Sequence, residues 1–178
     1  MTILTIDFEA SCLPRHGRSF PIEVGVAAGD QYRSWVIQPH DRWTGWDWTI
    51  EAEALHGLTL EQIAREGLPA ARVFAELVDH VQGRRVVADS LLDQYWLDEL
   101  AAAASAPTPF VIDHIAMLFD EQRADDARIA AAVAYADSFG LPRHRAAGDA
   151  LWLAALTDDL MRIRSCPPQP LTLLAAPS

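Results

Sequence analysis

The stretch Thr2-Ile-Leu-Thr-Ile-Asp-Phe-Glu-Ala-Ser11 constrains this chain more than any other. Ile3, Leu4, Ile6 and Phe8 make it a strand, and the period of two puts Asp7 and Glu9 on the same face at the end of an apolar run. Two like charges so placed raise the cost of ionising each other, and burial adds to it. The pair therefore persists only if something cationic neutralises it. A divalent metal fits that need, and oxygen-only ligands select hard ions such as Mg²⁺ or Mn²⁺ over zinc. An isolated D-x-E is better read as a strand end whose acids both reach water, so other carboxylates must decide.

At 178 residues the chain suits one domain with a full core. Its 51% hydrophobic content comes in short runs, none near the eighteen or more apolar residues of a membrane span, which predicts a globular protein. The strand begins at the N-terminus with no basic start or cleavage pattern, and Cys12 and Cys166 form no C-x-x-C. A cytoplasmic protein with two reduced thiols is the expectation. The net charge of −11 argues against a protein that coats long duplex DNA, but not against short or single-stranded substrates. Arginines occur in pairs, Arg15 with Arg18, Arg84 with Arg85, Arg143 with Arg145 and Arg162 with Arg164. All but the third read as solubilising surface.

Residues 12–20 read as a loop, 21–28 as a second strand, Gly29-Asp30 as a hairpin turn and 31–38 as a third strand. Residues 39–50 form a long loop carrying Trp43, Trp46 and Trp48. Those rings either stack on nucleobases or clasp the loop to the body. A helix is predicted over 59–66, with Thr59 as cap and Gln62 completing a capping box, and another over 69–81. Residues 84–88 and 107–112 read as the fourth and fifth strands, with helices over 93–104, 115–122, 125–139 and 146–164. The Pro-rich tail 165–178 cannot continue the last helix. A strand meander followed by strands alternating with helices gives an α/β domain, residues 1–164, with a mixed five-stranded sheet flanked by helices.

In the helix over 93–104, Asp93 shares a face with Trp96, Leu97 and Leu100. In the last helix Asp149 shares one with Leu153, Leu156 and Leu160, whereas Asp158 and Asp159 lie off that stripe. Two inward carboxylates plus the Asp7/Glu9 pair make one shared site the economical account. His144, five residues before Asp149, is placed at the site's rim. If the four acids crowd together, Asp149→Asn is expected to leave metal-free stability level or raised.

The set Asp7-Phe8-Glu9, Asp93 with Trp96-Leu97, and His144-Arg-Ala-Ala-Gly-Asp149 resembles the DEDDh 3′→5′ exonucleases of the ribonuclease H-like superfamily. Pro21-Ile-Glu-Val-Gly25 and Leu55-His56-Gly57-Leu58-Thr59 resemble that family's second strand and the loop before its first helix. Asp89 stands where many relatives have Asn, and Leu92 replaces a Phe, which leaves Asp89 as an alternative to Asp93 for the third acid. The resemblance implies a ribonuclease H-like fold and a phosphodiesterase using two Mg²⁺ or Mn²⁺ ions. Asp7, Glu9 and Asp149 would hold one ion, Asp7 and Asp93 the other, and His144 would be the general base. His56 and Leu58 resemble positions that contact the terminal nucleotide, although a turn stabilised by Gly57 explains them equally. Glu23 is expected near the metal site or strand edge. Arg143 and Arg145 suit phosphates, and Arg145 equally suits the start of the last helix.

The implied activity is removal of nucleoside monophosphates from single-stranded DNA or short RNA. The competing expectations are a catalytically silent nucleic-acid-binding or protein-interaction domain, and a subunit active only with a partner. A homodimer stays open, and no membrane partner is expected.

Overall fold

Residues 3–162 are described by the structure, a computed structural model. The strands are β1 (Ile3–Ala10), β2 (Pro21–Ala28), β3 (Gln31–Val36), β4 (Arg85–Ala88) and β5 (Ile112–His114). The helices are α1 (Ile50–His56), α2 (Leu60–Glu66), α3 (Ala70–Val81), α4 (Leu92–Ala103), α5 (Ile115–Glu121), α6 (Asp126–Asp137) and α7 (Ala146–Met161). The sheet order is β3-β2-β1-β4-β5, antiparallel through β3, β2 and β1 and parallel from β1 through β4 to β5. This is the mixed five-stranded sheet that the sequence predicts.

Alternation in β1 decides the layering. Leu4, Ile6 and Phe8 are buried in a cluster with Val73, Leu77, Trp96, Leu97 and Leu100, so α3 and α4 cover that face. Thr5, Asp7 and Glu9 point to the other face, where the Thr5 hydroxyl lies 2.7 Å from the Ala150 carbonyl of α7. There α7 meets the sheet through small residues. Ala146, Ala150 and Ala154 recur at four-residue steps and are buried, Ala150 and Ala154 packing with Ala27 of β2. A Cβ on Gly25 would stand 2.3 Å from the backbone of Ala146. Only glycine lets the first turn of α7 lie this close to β2, and that approach brings Asp149 over Asp7 and Glu9.

Three local expectations are corrected. Residues 39–50 are not wholly loop, because a 3₁₀ turn covers Asp41–Trp43 and α1 begins at Ile50, with the Thr49 hydroxyl accepting from the Ala52 N–H and Gly57 closing the helix at φ 71°. β5 lies at Ile112–His114 rather than over 107–112, since Pro107 and Pro109 have no N–H for a ladder and β4 offers partners only from Val86 to Ala88. Asp159 is buried, because α7 packs on the sheet and on α6 and so has more than one covered side. Cys12 is a buried free thiol. Cys166, Arg164 and the tail 165–178 lie outside the described residues. Among the described residues no helix is long and apolar enough to cross a membrane.

Candidate active site

β4 pairs with β1 only as far as Thr5, so the β1 backbone beyond it needs other partners. The Phe8 N–H donates to Asp93 Oδ1 at 3.0 Å, which ties the first turn of α4 to the strand between the two acids. Asp93 is 1% exposed, and its Oδ2 has no hydrogen-bond partner among the described residues. Asp7 Oδ2 is enclosed and unpartnered too. A buried carboxylate oxygen without a donor is costly, so two at one place call for a cation.

Asp7, Glu9 and Asp149 each present a ligand atom within 4.8 Å of the others. Asp93 is outside this triad, but among the charged neighbours of Asp7 its carboxylate acts most strongly. Burial, then the charges of Asp93, Glu9 and Asp149, hold Asp7 well above the usual carboxylate range. Burial with the Asp89 charge does the same to Asp93. Glu9 is pushed up to about 8 by burial, then by Asp149 and Glu23, against the relief supplied by Arg145. This donor set fits a hard divalent cation, with all ligands oxygen and uncompensated negative charge at hand. Asp89 is exposed beyond β4, and its carbonyl is bonded to His114 Nε2 at 3.0 Å. Between the two candidates for the third acid, Asp93 has the buried, unpartnered oxygen.

The start of α7 is braced by two carboxylates. Register sets Glu9 directly across from Glu23, a like-charge pair that would be destabilising alone. Arg145 resolves it, donating through Nε and Nη2 to the two oxygens of Glu23 at 2.9 and 2.8 Å, while the Ala146 N–H donates to the same acid at 3.1 Å. Glu23 thereby caps a helix whose own N-cap, Arg145, makes no side-chain cap. Asp149 reaches back over the first turn to accept from the N–H of His144 at 2.6 Å and of Arg145 at 3.2 Å. Its other oxygen accepts from Arg143 Nε at 2.5 Å, and that guanidinium lies 4.3 Å from the Trp152 ring centroid. Asp149 is therefore not a bare repelled acid. Asp149→Asn loses an ion pair and an anionic cap, and the stability expectation reverses toward a fall.

His144 is exposed at φ 62°, a left-handed conformation that turns its N–H onto Asp149, and its ring makes no hydrogen bond among the described residues. Leu58 is buried, and so is His56, whose Nδ1 accepts from the Leu58 N–H at 3.0 Å, so both shape the turn after α1. Burial holds the His56 imidazole below its ordinary pKa, and its Nε2 is unpartnered. Beside Glu9 opens a cleft of about 310 Å³ lined by Phe8, Leu13, Thr49, Ala52, Leu55 and Trp96. A slightly larger cavity, about 370 Å³, lies between α6, α7 and the Gly29 turn and contains none of the four acids. The α1 wall of the cleft was missed in the sequence. Its signals were Thr49 as cap, acids in the first turn and Gly57 at the end. Gly25 and Gly148 were missed as well. A Cβ on Gly148 would collide with the Pro142 carbonyl, so this glycine lets the 142–145 turn fold back onto α7.

No protein-family model matches the chain, and no curated protein does. Solved structures do. Exonuclease I from Methylocaldum szegediense aligns over 89% of this chain and 40% of its own, with TM-score 0.62 and 15% identity. A full-length 3′-exonuclease aligns over 86% of this chain and 78% of its own, at 0.63 and 15%. E. coli exonuclease I in complex with a dA16 oligonucleotide aligns over 90% and 41%, at 0.64 and 12%. The chain thus spans about two-fifths of the exonuclease I structures it matches. The fold is shared with these exonucleases and is the ribonuclease H-like fold implied by the three motifs.

Proposed function

We propose that this chain is a metal-dependent 3′→5′ exonuclease that hydrolyses phosphodiester bonds of single-stranded DNA or short RNA to nucleoside monophosphates. The observation that carries the reading is the convergence of Asp7, Glu9, Asp93 and Asp149 from β1, α4 and α7, with two buried carboxylate oxygens lacking any partner among the described residues. Asp7, Glu9 and Asp149 would hold one Mg²⁺ or Mn²⁺, and Asp7 with Asp93 a second. Ions so held supply Lewis-acid stabilisation of charge on the phosphoryl oxygens. His144 takes a proton from the attacking water on a ring nitrogen as the water oxygen bonds to phosphorus and the P–O3′ bond breaks. The departing O3′ takes a proton from solvent water, so the shortened strand ends in a 3′-hydroxyl, and a 5′-monophosphate leaves. The cleft beside Glu9 suits the terminal nucleoside, with its apolar walls against the base.

A catalytically silent domain is favoured by one observation, the engagement of both Asp149 oxygens by Arg143 and by backbone N–H groups. Product analysis on matched DNA and RNA oligonucleotides, with either end blocked, separates the readings. Stepwise shortening from the 3′ end with Mg²⁺ or Mn²⁺, abolished by chelator, is the expected result. His144→Ala is expected to lower turnover by roughly two to four orders of magnitude while metal binding persists. Cutting that continues in excess EDTA, or oligonucleotides left intact with metal bound, would overturn the proposal.

A further inference from the structure

Three of the six tryptophans are buried and three half-buried, and the fate of their indole N–H groups divides them. Those of Trp35, Trp48, Trp96 and Trp152 donate to Glu76, Glu53, Ser19 and Asp137. Those of Trp43 and Trp46 are buried and have no acceptor among the described residues. Both rings line one cavity of about 300 Å³, walled also by Phe20, His40, Trp48 and Leu60. The rings are held in place. Trp43, 3% exposed, stacks on Phe20 at 5.4 Å and 13°, Trp48 leans on the same Phe20 at 6.2 Å, and His40 meets Trp43 edge-on. Clasping the loop to the body explains the packing but leaves two donors unmatched, and buried donors ordinarily find acceptors.

We infer that this pocket is a second nucleobase subsite, taking one unpaired base upstream of the nucleotide at the acids. Aromatic walls suit a flat ring that can stack on them, which every nucleobase presents. The charge between the two pockets agrees. Residues 10–22 hold Arg15, His16 and Arg18 and no acid, in a chain of net charge −11. Arg15 and His16 line the cleft beside Glu9, and three residues on from Arg15 the Arg18 guanidinium lies 4.4 Å from the Trp46 ring. A strand running from cleft to aromatic pocket would pass its phosphates along these cations. Two acids stand near, Asp41 on the pocket wall and Asp47, whose carboxylate is engaged by the Arg18 N–H at 2.7 Å. The inference rests on the proposed function only in taking the ligand to be a nucleic-acid strand.

The test is binding by the full chain in EDTA, where no cleavage intervenes, read by anisotropy of a 5′-labelled oligothymidylate. Trp46→Ala is expected to weaken binding about five- to a hundred-fold, the span of one base–aromatic stack, and Trp46→Phe by less. Leu60→Glu, at the exposed mouth, is expected to weaken it without touching the packed rings. An abasic residue moved stepwise along the oligonucleotide should reproduce the Trp46→Ala loss at one position, and there the two losses should not add. Absence of binding by wild type, unchanged affinity in a folded Trp46→Ala and in Leu60→Glu, or full additivity at every position would overturn the subsite. Should cleavage fail with metal while the abasic coupling persists, the exonuclease reading falls and the subsite stands. Normal cleavage without the coupling removes the subsite and leaves the exonuclease reading in place.

Discussion

Glu9 and Glu23 face each other across the β1–β2 ladder, and only one has a full cationic partner. Burial, then the charges of Asp149 and Glu23, outweigh the relief from Arg145, whose hydrogen bonds go to Glu23, so Glu9 holds its proton up to a pH of about 8, against 4.5 without that environment. The folded chain thus binds this proton more tightly than the unfolded chain does. The cost of ionising Glu9 is absent below about pH 4.5 and complete only above about 8. Melting temperature in chelator should therefore fall as pH rises through that window, and Glu9→Gln should flatten the fall. An identical slope in the variant would show that Glu9 is not strained. Arg143 has the opposite character, occupying an Asp149 oxygen that a metal at the proposed site would also need. Removing it should lower stability in chelator yet tighten metal binding. A partly exposed ion pair is worth ~0.2–1 kcal/mol, which sets the gain from Arg143→Gln at up to about fivefold in the calorimetric Kd. Weaker metal binding in the variant would mean that Arg143 orders the ligands instead of competing with the ion.

Elements meet at this site only because small residues let them. The Ala146, Ala150 and Ala154 stripe lies on a sheet patch that offers Gly25 and Ala27, and Gly25 is the register partner of Asp7. Gly25→Ala would thrust a methyl group into the Ala146 backbone, so α7 must lift at its first turn. Overpacking of this kind costs about 1–3 kcal/mol. Because Asp149 rides on that turn, activity should fall further than stability, by about a hundredfold for an ångström of displacement. A variant that melts a few degrees lower but cuts at the wild-type rate would show that α7 position is not what aligns the acids.

At the scale of the whole molecule, net charge and site charge point the same way. A chain at −11 with several carboxylates held above their usual range stores repulsion that a bound cation relieves. An ion that binds only the folded state stabilises by mass action, about 2.7 kcal/mol at a hundredfold excess over Kd, or roughly 5–10 °C for a chain of this length. Scanning calorimetry with Mg²⁺ or Mn²⁺ against chelator should show this rise in wild type and little of it in Asp7→Asn. Equal shifts in the two proteins would place the ions elsewhere.

The order of residues along the chain already determined its layers and the facing of most acids of the candidate site, because both depend on local periodicity. Alternation through Ile3, Leu4, Ile6 and Phe8 aims Asp7 and Glu9 together, helical spacing turns Asp93 inward, and the capping box at Thr59 forms as spelled. Tertiary structure decided what spans long separations in sequence. The loop over 11–20 hides the β1–β2 register, so nothing local could reveal that Gly25 sits beside Asp7 or that Glu23 faces Glu9. Counter-ions followed the same rule. Arg145 had to reach 122 residues back in sequence to Glu23, and Asp149 acquired Arg143 only once the 142–145 turn folded over Gly148. A charge in the sequence fixes a sign, whereas its pairing depends on distance, which only the folded chain sets.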